Sequence, residues 1–287
     1  MAGIPTNRTN ITLPTEVSRE IMQKTQEQSA VMRLARRVDL PGRGLSIPVI
    51  TGDPEAAWVE ETGAKPVSNP NLTTKIMQAY KLAVIVPFSD EFRRDAAALY
   101  DAIVARLPGA LALKFDQTVA GAVTAPGGNF DTFATATAQS IAAPNTYAGL
   151  VAAHQDIATH GGALNGFALS PAAEGILLGA TDGQDRPLFI NSVADGAVPV
   201  ILGARVERSR GMYKTGTPIL VGIAGDWTQA MYGTVEGVQI RFADQTGLTI
   251  GNAQVNLWEH NMFAVRAEIE VGFRADLSVF NRLTTTA

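Results

Sequence analysis

Lys81-Leu82-Ala83-Val84-Ile85-Val86-Pro87-Phe88-Ser89-Asp90-Glu91-Phe92 decides the fold, because within it one repeat period gives way to another. The run from Ala79 to Val86 reads as a strand. Its continuation reads as a helix start: Ser89 is a good cap, and Asp90 and Glu91 stand where the helix dipole favours negative charge. From Phe92 onward Ala96, Leu99, Ile103, Leu107, Leu111, Phe115 and Val119 recur every three or four positions. One apolar face over about thirty residues far exceeds the average helix. Pro108 removes a backbone bond, which predicts a bend near Arg106, and Gly121 ends the run.

Upstream, Leu45, Ile47 and Val49 alternate with Ser46, Pro48 and Ile50, and this strand is expected to pair with Ala79 to Val86. Between them lies a long loop with Gly52, Pro54, Gly63, Pro66 and Pro70, and with Trp58-Val59-Glu60-Glu61 at its middle. A loop of this length without its own core is functional or rests on a partner, and a two-stranded ribbon is marginal alone in water. The hairpin therefore needs an external surface. Trp58 makes the point sharper, since a large aromatic in a turn-rich segment must have its rings covered, and an interface supplies the cover. Before the hairpin, Thr15 caps a helix carrying Val17, Ile21, Met32, Leu34 and Ala35 through Arg37, stopped by Gly42 and Gly44. The first fifteen residues are polar and turn-rich and read as an extended arm.

Downstream, Ala125-Pro126-Gly127-Gly128-Asn129 and the Thr/Ala-rich stretch to Pro144-Asn145 mark a boundary. Beyond it the expected elements are helices at Tyr147 to His160 and Pro171 to Gly179, and strands at Phe167 to Leu169, Val198 to Leu202, Ile219 to Ile223, Ala230 to Thr234 and Val238 to Phe242. A last strand, Met262 to Phe273, alternates Phe263, Val265, Ala267, Ile269 and Val271 with Arg266, Glu268 and Glu270 on its other face. The fold class is α+β.

Composition narrows the function. The chain has 287 residues, no cysteine and a net charge of -4, so it needs no disulfides and lacks the excess of cations of a dedicated nucleic-acid binder. Its start is an exception. Within residues 1–50, Arg8, Arg19, Lys24, Arg33, Arg36, Arg37 and Arg43 outnumber Glu16, Glu20, Glu27 and Asp39, which suits either a salt-bridged helix face or an arm facing polyanionic contents. Neither a secretory segment nor a run of about twenty apolar residues is present, so a soluble protein made inside the cell is expected. The sequence has no Gly-x-Ser-x-Gly elbow, no phosphate-binding Gly-x4-Gly-Lys loop and no His-Glu-x-x-His motif. His154 and His160 fall on opposite sides of their helix, so no metal, cofactor or catalytic site is expected. Glu60 and Glu61 read as one exposed and one salt-bridged carboxylate, and Arg93 and Arg94 beside Asp90, Glu91 and Asp95 as a charged helix face open to intersubunit pairing.

Several segments in fixed order resemble the major capsid protein family of tailed bacteriophages, the fold named after phage Hong Kong ninety-seven. They are Ala57-Trp58-Val59-Glu60-Glu61, Lys81 to Phe92, Phe115-Asp116-Gln117 with Gly121, Phe167-Ala168-Leu169-Ser170-Pro171, Arg186-Pro187-Leu188-Phe189, Leu202-Gly203-Ala204-Arg205-Val206, Gly225-Asp226-Trp227 and Arg266-Ala267-Glu268. The resemblance implies an N-terminal arm (1–44), an extended loop hairpin (45–86), a peripheral domain with a long spine helix (87–130 and 240–287) and an axial domain (131–239). It also implies a shell subunit forming pentamers and hexamers around phage double-stranded DNA, in a virion capsid assembled in the host bacterial cytoplasm. Its partners would be other copies of itself, a separate scaffolding protein (a reading that Met1 favours), a portal, a decoration protein and, non-specifically, the packaged DNA, with no membrane. Candidate interface residues are Trp58, Glu60, Lys65, Arg93 and Arg94. Lys65 and Lys75 lie in the loop where some members weld subunits through a Lys-Asn bond, although no motif fixes the Asn or Glu. The alternatives are an encapsulin-type compartment shell and, in another class, a cytosolic hydrolase using Glu60 or Asp226.

Overall fold

The computed structural model describes residues 15–42, 44–51, 58–59, 71–91, 96–182, 186–189, 200–250 and 253–285. Two sheets organise them. In the first, β14 (Met262–Ala275) is the centre: β4 (Tyr80–Ser89) pairs antiparallel along one side, while β11 (Gln239–Ala243) and β10 (Ala230–Thr234) share the other, and β1 (Arg36–Asp39) lies parallel to β10. The second runs in the order β5 (Thr137–Ser140), β15 (Phe280–Thr285), β9 (Ile219–Gly225), β6 (Gly166–Leu169), β8 (Ala204–Arg208), β7 (Val200–Ile201). Helices α1 (Thr15–Gln28) and α2 (Ala30–Leu34) lead into the sheets, α3 (Ala96–Val119) forms the spine, and α4 (Thr146–Thr159) and α5 (Pro171–Leu178) pack on the second sheet. Two ribbons pair with neither sheet, β2 (Leu45–Thr51) with β3 (Asn71–Met77), and β12 (Gly247–Ile250) with β13 (Ala253–Asn256).

The alternation of β14 explains its central place. Phe263, Val265, Ala267, Ile269, Val271 and Phe273 are all buried. Aromatic rings then tie the sheets together: Phe273 of β14 meets Phe115 of α3 at 6.3 Å and Phe133 at 5.6 Å, Phe133 meets Phe280 of β15 at 4.6 Å, and Trp227 meets Phe280 at 5.3 Å. Such offset and edge-on pairs each contribute roughly 0.5–1.5 kcal/mol beyond area burial. Trp227 also satisfies its indole N–H, which donates to the Gly166 carbonyl at 3.0 Å.

Four expectations are corrected. The spine helix is described from Ala96, not from Ser89, with residues 92–95 outside the described residues. Ser89 is the last residue of β4, paired with Met262; its Oγ accepts the Glu91 N–H at 3.4 Å in the short turn that follows, and the Asp90 N–H donates to the Asn261 carbonyl at 2.8 Å. A ten-residue ladder, with Phe88 stacked on Phe263 at 5.7 Å, keeps the backbone extended up to Ser89. The run 80–86 does not pair with residues 45–50, since β3 takes that place in full register from Leu45↔Met77 to Thr51↔Asn71. The first helix does not reach Arg37: Ser29 breaks it, and Arg36–Asp39 is a strand. Nor does the strand expected from Val198 extend to Leu202, which sits with Gly203 in a positive-φ turn between β7 and β8. The chain also crosses between sheets more often than the boundaries 130/131 and 239/240 anticipate, with β10 in the first sheet and β15 in the second. Pro108 lies within α3, which Gly121 follows at φ +77°.

Where the helices converge, Asp116 is fully buried. Its carboxylate accepts the Ser29 hydroxyl at 2.6 Å, the Ala30 N–H at 3.0 Å and the Val31 N–H at 3.4 Å, and Ser209 is a further side-chain partner. Ser29 in turn caps α2 by accepting the Met32 N–H at 3.1 Å. One side chain on α3 thus holds the start of α2 and the segment after β8. Burial raises its pKa from the ordinary 3.8 to about 6, the four hydrogen bonds offsetting only part of the desolvation.

With the folded-state pKa above the unfolded one, the folded subunit holds an extra proton between those values, so this group's contribution to stability falls as pH rises through the window. From pH 7 to pH 5 the wild-type subunit should gain about 1 kcal/mol from Asp116 that Asp116→Asn does not gain. Urea unfolding of unassembled subunits at both pH values measures it, and a wild-type/variant difference independent of pH would refute the account.

Candidate intersubunit surface

The ribbon β2–β3 begins where Gly44, at φ +87°, turns the chain; a Cβ there would lie 2.7 Å from the Met77 carbonyl. Its root is pressed into the first sheet. Gly233 of β10 and Gly272 of β14 are register partners, and their missing side chains open a hole in the sheet face. A Cβ on Gly233 would lie 2.8 Å from Met77 Sδ and collide with Leu40, and one on Gly272 would lie 2.6 Å from the Gln78 carbonyl. Met77 is wholly buried there.

Beside the hole stands Arg274, only 8 % exposed. Its Nε and Nη2 donate to the Ile76 carbonyl at 2.9 and 2.6 Å, Nη2 also to Asn129 Oδ1 at 3.0 Å, and Nη1 pairs with Asp131 at 2.7 Å. Asp131 spends its other oxygen on the Ala275 N–H at 3.2 Å, and Lys75 Nζ reaches the Ala275 carbonyl at 3.5 Å. The ribbon is thereby bolted at one end. At its far side Trp58 has its whole side chain in solvent, and Val59 is exposed too. A second exposed tryptophan, Trp258, follows β13 at the open end of the other ribbon, where its backbone N–H donates to Asn256 Oδ1 at 3.3 Å.

Of the sequence-derived interface residues, Trp58 is therefore on the surface, and Glu60, Lys65, Arg93 and Arg94 lie outside the described residues. Lys75, by contrast, is engaged at the root. Among the described members of the basic N-terminal stretch, Lys24 pairs with Glu20 at 3.0 Å, Arg33 with Glu207 at 2.6 Å and Arg37 with Asp39 at 3.2 Å, while Arg8 and Arg43 lie outside. Asp226, the hydrolase candidate, holds a turn: it accepts the Ala163 and Thr228 N–H groups at 3.1 and 3.0 Å, the Asn165 amide at 2.7 Å and the Thr228 hydroxyl at 2.6 Å. Burial alone would raise its pKa, but these donors outweigh it and hold the carboxyl below the ordinary range, unlike a general acid. Among the described residues no three metal-ligating side chains gather, and no helix is long and apolar enough to cross a membrane.

The residues that sequence reasoning missed are Arg274, Gly233, Gly272 and Met77. A signal existed in β14, where the face bearing Arg266, Glu268 and Glu270 changes to Gly272 and then Arg274.

Comparison with known proteins places this geometry. A model described as the phage capsid family matches residues 9–276. The probable major capsid protein gp17 of Mycobacterium phage D29 is 29% identical over 290 residues, 95% of this chain and 89% of that protein. A solved chain from Gordonia phage Cozz superposes with a TM-score of 0.71 at 23% identity, covering 91% of this chain and 87% of its own. One from Microbacterium phage Oxtober96 gives 0.71 at 22%, covering 90% and 91%.

Replacing Arg274 by methionine should leave the Ile76 carbonyl and one Asp131 oxygen unpaired in a buried place, costing roughly 3–5 kcal/mol of subunit stability. The urea midpoint of the unassembled subunit should fall accordingly, and an unchanged midpoint would show that the ribbon root is held by the glycine hole alone.

Proposed function

The chain belongs to the phage capsid family and is a structural protein of the shell, and from this premise we propose how it works: as the major subunit, it assembles into pentamers and hexamers that close around phage double-stranded DNA. One observation supports this most, the ribbon fixed rigidly at Arg274 and the glycine hole while Trp58 has no cover from its own subunit. Rigid attachment with an uncovered end suits a heterologous contact, in which each subunit gives the ribbon to one neighbour and receives another's. Trp58, Glu60 and Lys65 on the loop, and Arg93 and Arg94 before α3, are our proposed contact residues.

We retain the four-part organisation of arm, extended loop, peripheral domain and axial domain, with β4 and β10 counted in the peripheral sheet and β15 in the axial one. A separate scaffolding protein, a portal and a decoration protein complete the proposed partners, with assembly in the host cytoplasm and no catalytic step. The relatives are phage capsid proteins, which favours this branch over an encapsulin-type compartment.

Electron microscopy of the purified chain should show closed shells. Replacing residues 52–70 by a two-residue Asn-Gly turn, which spares Met77, should leave a subunit that unfolds cooperatively and forms no shells. Trp58→Ala should lower the temperature at which particles disrupt while leaving the unfolding free energy of free subunits, from urea titration, within about 0.5 kcal/mol of wild type, as for an exposed residue. A folded deletion variant that still closes shells would overturn the role given to the ribbon.

A further inference from the structure

The chain carries net charge -4, yet along the C-terminal half of α3 the exposed charges are cationic. Lys114 is exposed on the helix itself. Gly211 lies against the same turn, where a Cβ would be 2.6 Å from Asp116 Cβ and 3.0 Å from the Leu113 carbonyl, so its exposed neighbour Arg210 stands beside that turn. Lys214 reaches the helix end, donating to the Gly121 carbonyl at 2.8 Å. On the other flank, Arg205 donates to the Arg33 carbonyl and Arg33 pairs with Glu207 at 2.6 Å. The carboxylates within this band, Asp116 and Glu207, are both buried and bonded, and the nearest exposed one along the chain toward α1 is Glu27.

We propose that this band, Arg33, Lys114, Arg205, Arg210 and Lys214, is the surface through which the subunit touches packaged double-stranded DNA. The proposal rests on the reading of the chain as a DNA-enclosing shell subunit and assigns the contact to one face. Exposed cations with their carboxylates withdrawn suit a uniform row of phosphates, and guanidinium groups match phosphate geometry. An acidic protein segment would need an apolar anchor as well. The large apolar side chains exposed along the band are Leu113 and Tyr213 by α3, at 36% and 39%, and Val200 and Leu202 on the β7–β8 hairpin beside Arg205, at 53% and 39%. They fall in two pairs on different elements, interspersed with the cations, rather than forming one apolar patch of the several hundred Å² that mark a protein-docking site. Contacts of this kind hold DNA without reading its sequence.

The test uses full-length unassembled subunits and a fluorescent 30-base-pair duplex of arbitrary sequence, with anisotropy read across a salt series. Binding should weaken with salt, and the variant Lys114→Gln/Arg205→Gln/Arg210→Gln should flatten the log–log salt slope by about 2–3 and weaken low-salt binding at least about tenfold. Lys81→Gln on β4, outside the band, should match wild type. A triple variant that binds like wild type overturns the assignment, as does a wild type that prefers polyglutamate to duplex at equal charge concentration, which would indicate an acidic protein partner. Micrographs of the same preparations separate the DNA-facing surface from the shell reading beneath it. Wild type that forms shells but binds no duplex refutes this face alone, whereas wild type that forms no shells refutes the shell reading. A triple variant that folds yet cannot close shells marks the band as a subunit contact and also overturns the proposal.

Discussion

Two glycines facing each other across β10 and β14 are the constraint on which the outward half of the molecule depends. Without a side chain at Gly233 or Gly272, the sheet face has a hole deep enough for Met77 and Leu40. The backbone of residues 76–78 therefore approaches closely enough for Arg274 to hold the Ile76 carbonyl with two donors. Any Cβ at those glycines would lift the ribbon off the sheet and take the carbonyl out of the guanidinium's reach. The ribbon's stability is thus borrowed from the sheet rather than made within its two strands, which would be marginal alone.

A second junction works by charge rather than by shape. Asp116 brings three distant pieces of chain, residues 29–31, the spine helix and Ser209, to one carboxylate. An anion in that position is costly to bury, and it is retained where several backbone and hydroxyl donors converge. The aromatic series from Phe115 through Phe273 and Phe133 to Phe280 and Trp227 then couples the two sheets without charge. Polar specificity at the helices and apolar continuity between the sheets divide the task of holding one arrangement.

What the sequence discloses depends on how local each cause is. The spine helix, β6, α4, α5 and β14 are written in the periodicity of their own residues, and Ser170 caps α5 as its position before Pro171 suggests. Several segments that carry the family resemblance prove to be pivots: Asp116 at the helix junction, Asp226 with Trp227 at a capped turn, and Leu202-Gly203 at positive φ. Pairing is another matter. Residues 71–77 and 80–86 both have strand character, and the choice between them for β2 is made by β14, nearly two hundred positions away. Ser89 has the chemistry of a cap, but the ladder to Met262 makes it the end of β4. Trp58 was legible because an exposed aromatic in a turn-rich loop conflicts with its surroundings, whereas Arg274 looks like an ordinary strand arginine until Ile76, 198 residues distant, is placed beside it.

The anchored ribbon is mechanically a lever. Seven residues per strand at about 3.3 Å each carry its end some 23 Å from the root before the connecting loop begins. A swing of about 10° at the root moves that end by roughly 4 Å, more than a hydrogen-bond length, and carries whatever the tip touches out of register. A guanidinium gripping one carbonyl and a methionine seated between two glycines are therefore the bearing of this lever. With the tip resting on a neighbouring subunit, as proposed, their stiffness would set how far the angle between the two subunits can change before that contact is lost.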